Sequence, residues 1–148
     1  MGTFAPVTDE NMQSKKLHEE YFEIPHNSDQ LINRSDRKRE IVAVGTTVAR
    51  TLESVKKRID SRFRGNDKKV AGKNQVIGQT SLFIYPPYQF KTVDHLITNF
   101  HLPGSSLMML VEAFLQHKKA KRRLINLYQI AIEHNFRFYS FGDAMIIL

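Results

Sequence analysis

The stretch Leu96–Leu110, reading L-I-T-N-F-H-L-P-G-S-S-L-M-M-L, constrains this chain more than any other. Leu96, Ile97 and Phe100 make an apolar, strand-like run. Pro103-Gly104 breaks it, because proline lacks an N–H and glycine accepts turn conformations. Ser105 and Ser106 restart the chain as a helix that continues through Leu107, Met108, Met109, Leu110 and Val111. Strand, tight turn and helix N-terminus in that order belong to α/β sheets, where ligands sit outside the carboxyl ends of strands. His101 stands at such an end, beside Asn99. On spacing alone, a single histidine there is more often a hydrogen-bonded loop residue than a catalyst. Ser105 and Ser106 are by default helix caps.

A chain of 148 residues can build a core of its own. Its 41% hydrophobic and 10% aromatic content exclude a disordered chain. Cysteine is absent, which excludes disulfides and thiolate metal sites and is compatible with a cytoplasmic protein. No apolar run reaches the length of a membrane span, and the N-terminus lacks the pattern of a signal peptide. The expectation is a cytoplasmic protein with no membrane partner. The net charge of +7 points to an anionic partner such as RNA, but its distribution matters. The segment from Val55 to Gln75 carries six of the seven excess charges, so the basic balance belongs to one loop.

The chain opens with Gly2 and Pro6 bracketing a short extended piece. Leu17–Ile24 alternates, Tyr21 and Glu23 against Phe22 and Ile24, as a strand stopped by Pro25. His18 and Glu20 then share one face, because strand side chains repeat every two residues. Such a pair can bind a metal, relay a proton or form a surface ion pair. Asn27 or Ser28 caps a helix over Gln30–Arg39. Ile41–Val44 reads as a buried central strand of a parallel sheet. Gly45 makes the turn, and Thr46-Thr47 begin a helix to about Lys57. Residues 55–76 read as a basic, repeat-like insertion around Arg62–Asp67. Leu82–Tyr85 is β-rich and is stopped by Pro86-Pro87. A helix follows from Ser105 to about Gln116, with Leu107, Leu110, Val111, Phe114 and Leu115 as its apolar stripe. Lys118–Arg123 begins another helix, which turns Leu124, Leu127, Tyr128, Ala131 and Ile132 to a core. Arg137–Phe141 alternates as a strand, Gly142-Asp143 turns the chain, and Ala144–Leu148 reads as a final buried strand or tail.

Several of these segments, taken in order, resemble the S-adenosylmethionine:tRNA ribosyltransferase-isomerase family of queuosine biosynthesis. G-T-F-A-P-V (Gly2–Val7) is similar to the family's G-T-F-x-P-V motif. L-H-E-E-Y-F-E (Leu17–Glu23) is similar to H-x-E-x-[FIY]-E. V-A-V-G-T-T-V-A-R-T-L-E-S (Val42–Ser54) resembles V-G-T-T-x-x-R-x-L-E-S. T-N-F-H-L-P (Thr98–Pro103), F-I-Y-P-P-Y-Q-F (Phe83–Phe90) and R-F-Y-S-F-G-D-A-M (Arg137–Met145) also fit. Two positions differ: Gly104 stands where the family usually has Lys or Arg, and Glu112 where it usually has Ser. The family's proteins are more than twice this length.

The resemblance implies the C-terminal part of the family's α/β domain. It would be a mostly parallel sheet flanked by helices, with the β-barrel domain absent. The implied reaction transfers the ribosyl unit of S-adenosylmethionine to 7-aminomethyl-7-deazaguanine at the wobble position of tRNA. It yields epoxyqueuosine and releases adenine and methionine. S-adenosylmethionine would be the ribosyl donor, with no metal needed. The implied partners are that tRNA and a separately encoded N-terminal half. Such chemistry needs a base beside the sulfonium, a proton for departing adenine, and placement of both substrates. His101 is the expected acid/base, with Asp143 or Glu20 orienting a partner. Thr46, Thr47, Arg50 and Asn99 would hold the cofactor. Tyr85, His18, Ser105, Ser106 and Tyr139 would contact the tRNA base or its surroundings. The competing expectation is an inactive remnant or a basic RNA-binding fragment.

Overall fold

The apolar run at Leu96 becomes the middle strand of a three-stranded sheet. The computed structural model describes residues 7–25, 27–28, 39–60, 70–72, 75–140 and 142–148. Among these, α1 (Asp9–Ser14) leads into β1 (Lys16–Pro25), and β2 (Val42–Val44) leads into α2 (Thr46–Asp60). The hairpin strands β3 (Val70–Gly72) and β4 (Gln75–Leu82) follow, then β5 (His95–Asn99). The helices α3 (Ser106–His117) and α4 (Leu124–Glu133) and the strand β6 (Ala144–Ile147) complete the chain.

One sheet has the order β1-β4-β3 and is antiparallel throughout. The other has the order β2-β5-β6, with β2 and β5 parallel and β6 antiparallel. The α/β class expected from the resemblance holds, and the pairing is mixed: β2–β5 is the one parallel ladder among the described residues. Parallel neighbours require a crossover rather than a tight turn. Here it runs through α2, β3 and β4.

The core lies between the β2-β5-β6 sheet and the helices. Ala43, Leu96 and Ile147 come from the sheet, and Ala49 and Leu52 from α2. From α3 come Leu110, Val111, Phe114 and Leu115, and from α4 Leu124, Tyr128 and Ala131. Phe90 meets Phe114 edge-on at 4.8 Å between ring centroids, and Phe100 meets Tyr128 at 5.5 Å, favourable geometries for aromatic quadrupoles.

Ser105 caps α3. Its hydroxyl accepts from Met108 N at 3.3 Å and donates to Leu102 O at 2.7 Å. Ser105→Ala is expected to lower stability by about 1 kcal/mol, read as a shift of the urea midpoint. α4 has no cap of its own at Arg123. Instead Glu112 of α3 accepts from Leu124 N at 2.8 Å and from the Arg123 side chain at 3.3 Å. Burial would push the Glu112 carboxyl up, but these hydrogen bonds and one from Gln116 outweigh it and hold the pKa below its ordinary value. Glu112 therefore joins two helices.

Several expectations change here. β2 is not a buried central strand: it lies at the sheet edge among the described residues, and only Ala43 is buried while Val42 and Val44 are exposed. The β-rich run ends at Leu82, and Phe83–Tyr85 lie beyond the strand, which instead begins at Gln75. Lys118–Arg123 is the turn between helices rather than a helix start, and Ile132 faces solvent. Arg137–Ser140 is irregular, not a strand. β6 is a strand, but only its Ile147 is buried. Within 55–76, residues to Asp60 continue α2, and Val70–Gly72 pair with β4. The Gly2–Pro6 segment, the helix over Gln30–Arg39 up to residue 38, and Arg62–Asp67 lie outside the described residues.

Candidate active site

The carboxyl ends of β2 and β5 lie side by side, because Val44 pairs with Ile97 and Gly45 N donates to Ile97 O at 2.8 Å. Gly45 turns there with φ +97°, a left-handed conformation that side chains disfavour. α2 begins at Thr46, which is buried, while Thr47 is exposed. The chain leaving β5 carries Asn99, His101 and the Pro103-Gly104 turn to the start of α3. Thr46, Thr47, Asn99, His101, Ser105 and Ser106 thus belong to the same end of the parallel pair.

His101 is half-buried and held at two points. Its backbone N–H donates to the Tyr128 hydroxyl at 2.7 Å, and its ring Nε2 lies 2.8 Å from the Thr98 hydroxyl. Burial lowers its pKa, so the neutral imidazole is favoured. The Tyr128 hydroxyl is pushed up by burial, partly opposed by the His101 hydrogen bond. A neutral imidazole at a strand end can take or return a proton near neutral pH.

The same burial has a consequence for stability. The unfolded chain binds a proton near the ordinary value of 6.5 more readily than the folded one. Stability is therefore expected to fall as pH drops below that value. Urea midpoints at pH 7.5 and 5.5 measure this, and His101→Gln should lose part of the difference.

Asp143 and Glu20 do not reach His101. The Asp143 carboxylate accepts from Arg137 N and its guanidinium, at 3.1 Å from Nε and 2.9 Å from Nη2. This pairing holds its pKa down at about 2. Glu20 forms an ion pair with Arg50, whose guanidinium is buried against β1. Burial pulls the Arg50 pKa down from its ordinary value. The residues expected to orient a catalytic partner and to hold the cofactor therefore meet as Glu20–Arg50. His18 is exposed, and the register of β1 shifts between Lys16 and Glu20, so the strict alternation expected there is interrupted.

Asn99 donates to Tyr139 O at 2.7 Å, and Tyr139 N donates to Phe100 O at 3.0 Å. These bonds, with Asp143 on Arg137, hold residues 137–140 against the end of β5 and leave the Tyr139 ring exposed. Tyr139 adopts φ 65°, which a strand does not allow. Tyr85 is half-buried against Phe83, with ring centroids 4.8 Å apart. The Ser105 hydroxyl serves the α3 cap, and Ser106 follows it in the first turn.

Three residues near these elements carried no assigned role in the sequence. Thr98 partners the His101 ring, and Tyr128 partners its backbone. Glu53, buried on α2, accepts from the backbone of Lys91, Thr92 and Val93. A signal existed for Glu53, since a carboxylate within the helix-facing run V-A-R-T-L-E-S needs donors. None existed for Thr98. Among the described residues no three His, Asp or Glu side chains gather as a metal site, and no helix is long and apolar enough to cross a membrane.

A family model described as queuosine biosynthesis protein matches residues 1–147. The S-adenosylmethionine:tRNA ribosyltransferase-isomerase of Carboxydothermus hydrogenoformans is 46% identical over 152 residues, covering 100% of this chain and 39% of that protein. The enzyme of the same name from Thermotoga maritima is 42% identical over 149 residues, with 100% and 40% covered. The crystal structure of the S-adenosylmethionine tRNA ribosyltransferase from Thermotoga maritima superposes with a TM-score of 0.66 at 39% identity, over 86% of this chain and 40% of that one. The chain thus spans about two fifths of the length of these relatives. Matched along nearly its whole length, it belongs to the queuosine biosynthesis protein family.

Proposed function

We propose that this chain is the C-terminal portion of an S-adenosylmethionine:tRNA ribosyltransferase-isomerase. The observation that carries this is that the whole of this chain matches relatives of that name at 42–46% identity. The placement of His101 at the paired strand ends is consistent with it. The reaction moves and isomerises the ribosyl unit of S-adenosylmethionine onto 7-aminomethyl-7-deazaguanine in tRNA, giving epoxyqueuosine-tRNA. S-adenosylmethionine supplies the ribosyl group and an acidified C–H beside its sulfonium.

His101 takes or returns the proton, as a half-buried neutral imidazole suits. Thr46, Thr47 and Asn99 offer hydroxyl and amide groups to the ribose and methionyl portions. Arg50, held by Glu20, shapes that wall. Tyr139 presents an exposed ring to a base, and Ser106, Tyr85 and His18 line the approach of the tRNA. The full activity then needs the remaining three fifths of the family's length as well. A tRNA substrate places the work in the cytoplasm.

The test is a chimera in which this chain replaces the stretch it matches in the Thermotoga maritima enzyme. The chain alone and the chimera are incubated with S-adenosylmethionine and precursor tRNA, and the digested tRNA is read by mass spectrometry. Epoxyqueuosine from the chimera is expected. A folded chimera that binds tRNA but forms no product would instead support a basic RNA-binding fragment.

A further inference from the structure

We propose that Thr98 is a positioning residue that sets the tautomer of His101, accepting its Nε2–H and leaving Nδ1 as the unprotonated nitrogen that meets the substrate. This rests on the reading of His101 as the proton-transfer group.

The argument is an account of one proton. Thr98 Oγ1 lies 2.8 Å from His101 Nε2 and 3.3 Å from the Asn99 carbonyl oxygen. The residue is 2% exposed, so its hydroxyl is shielded from bulk solvent. A hydroxyl carries a single proton. If that proton went to Nε2, the contact with Asn99 O would be lost. Both bonds coexist only when the ring donates Nε2–H to Oγ1 and the hydroxyl donates to Asn99 O. The ring then carries its lone pair on Nδ1.

The scaffold supports a fixed geometry. Thr98 sits on the covered face of β5, and its β-branched side chain is stiff about χ1. The backbone of His101 is separately tied to Tyr128. Among the described residues no hydrogen bond engages His101 Nδ1. Among the described residues the sealed side-chain polar atoms without a partner are Thr92 Oγ1 and His95 Nδ1, and His101 Nδ1 is not one of them.

The test reads the ring directly, without turnover. Nitrogen-15 NMR of the intact 148-residue chain gives the tautomer ratio of His101 between pH 5 and 8. The wild-type ring is expected in the Nε2–H form, with a slowly exchanging ring proton. Thr98→Ser should keep both features. Thr98→Val should lower the tautomer ratio by roughly fivefold, the effect of losing one hydrogen bond, and expose the ring proton to exchange. A dominant Nδ1–H form in the wild type overturns the proposal, as does a Thr98→Val spectrum identical to it. If Thr98→Val fails to fold, the wild-type and Thr98→Ser spectra decide. An inactive chimera with the predicted tautomer would count against the proposed reaction only; an active one with the wrong tautomer would count against Thr98 only.

Discussion

Replacing Glu53 by Ala is expected to destabilise the fold by about 4 kcal/mol, a large part of the 5–15 kcal/mol that holds a domain of this kind together. Glu53 is 1% exposed, and its two oxygens gather donors from one segment of chain. Thr92 N donates at 2.8 Å, Val93 N at 3.1 Å and Lys91 N at 3.0 Å, with the Tyr88 hydroxyl at 3.4 Å. Burial and the neighbouring Glu53 carboxylate both push the Tyr88 hydroxyl up, which keeps it a donor. Without the carboxylate, the N–H groups of two fully buried residues lose their acceptor at about 1–3 kcal/mol each, and a cavity is added. The segment they belong to enters β5, so the site end of the sheet should loosen with it. Glu53→Gln keeps one oxygen and turns an NH2 toward donors, for an expected cost of about 2 kcal/mol. Urea unfolding of both variants measures this. If both lie within the scatter of the wild type, the latch is not a major support.

His101→Ala in the chimera is expected to lower turnover by about 10²–10⁴-fold, the range for loss of a positioned acid or base. The folding cost should be small by comparison, since the backbone bond from His101 N to Tyr128 survives the substitution. A loss in kcat with little change in KM identifies the proton-transfer step rather than binding. His101→Gln separates shape from basicity: it fills the same space without a titrating group. Turnover within threefold of wild type in His101→Ala would remove His101 from the mechanism.

The stretch Leu96–Leu110 was legible because its signals are local. Alternating burial, a Pro-Gly break and a serine cap act within a few residues of one another, and β5, the turn and α3 form where they indicate. Strand alternation in Tyr21–Ile24 is legible for the same reason. Residues 137–140 show where such patterns mislead. Their apolar alternation is that of a strand, but Asp143, Asn99 and the Phe100 carbonyl engage the backbone first, and Tyr139 turns left-handed. The Ile41–Val44 run was misread for another reason. Four apolar residues report that a strand is favoured, not how many of its faces a neighbour covers, and only Ala43 is buried.

The order of motifs along the chain identifies the family, since each motif is a short-range chemical pattern. Partnership is a different matter, because it links residues tens of positions apart. Glu20 with Arg50, Asp143 with Arg137 and Asn99 with residue 139 are products of strand register and helix packing. So is the contact between His101 and Tyr128, whose hydroxyl comes from α4 beside Phe100. Local preference places a histidine at the end of β5 with Thr98 against its Nε2; packing from outside that segment fixes its backbone through Tyr128.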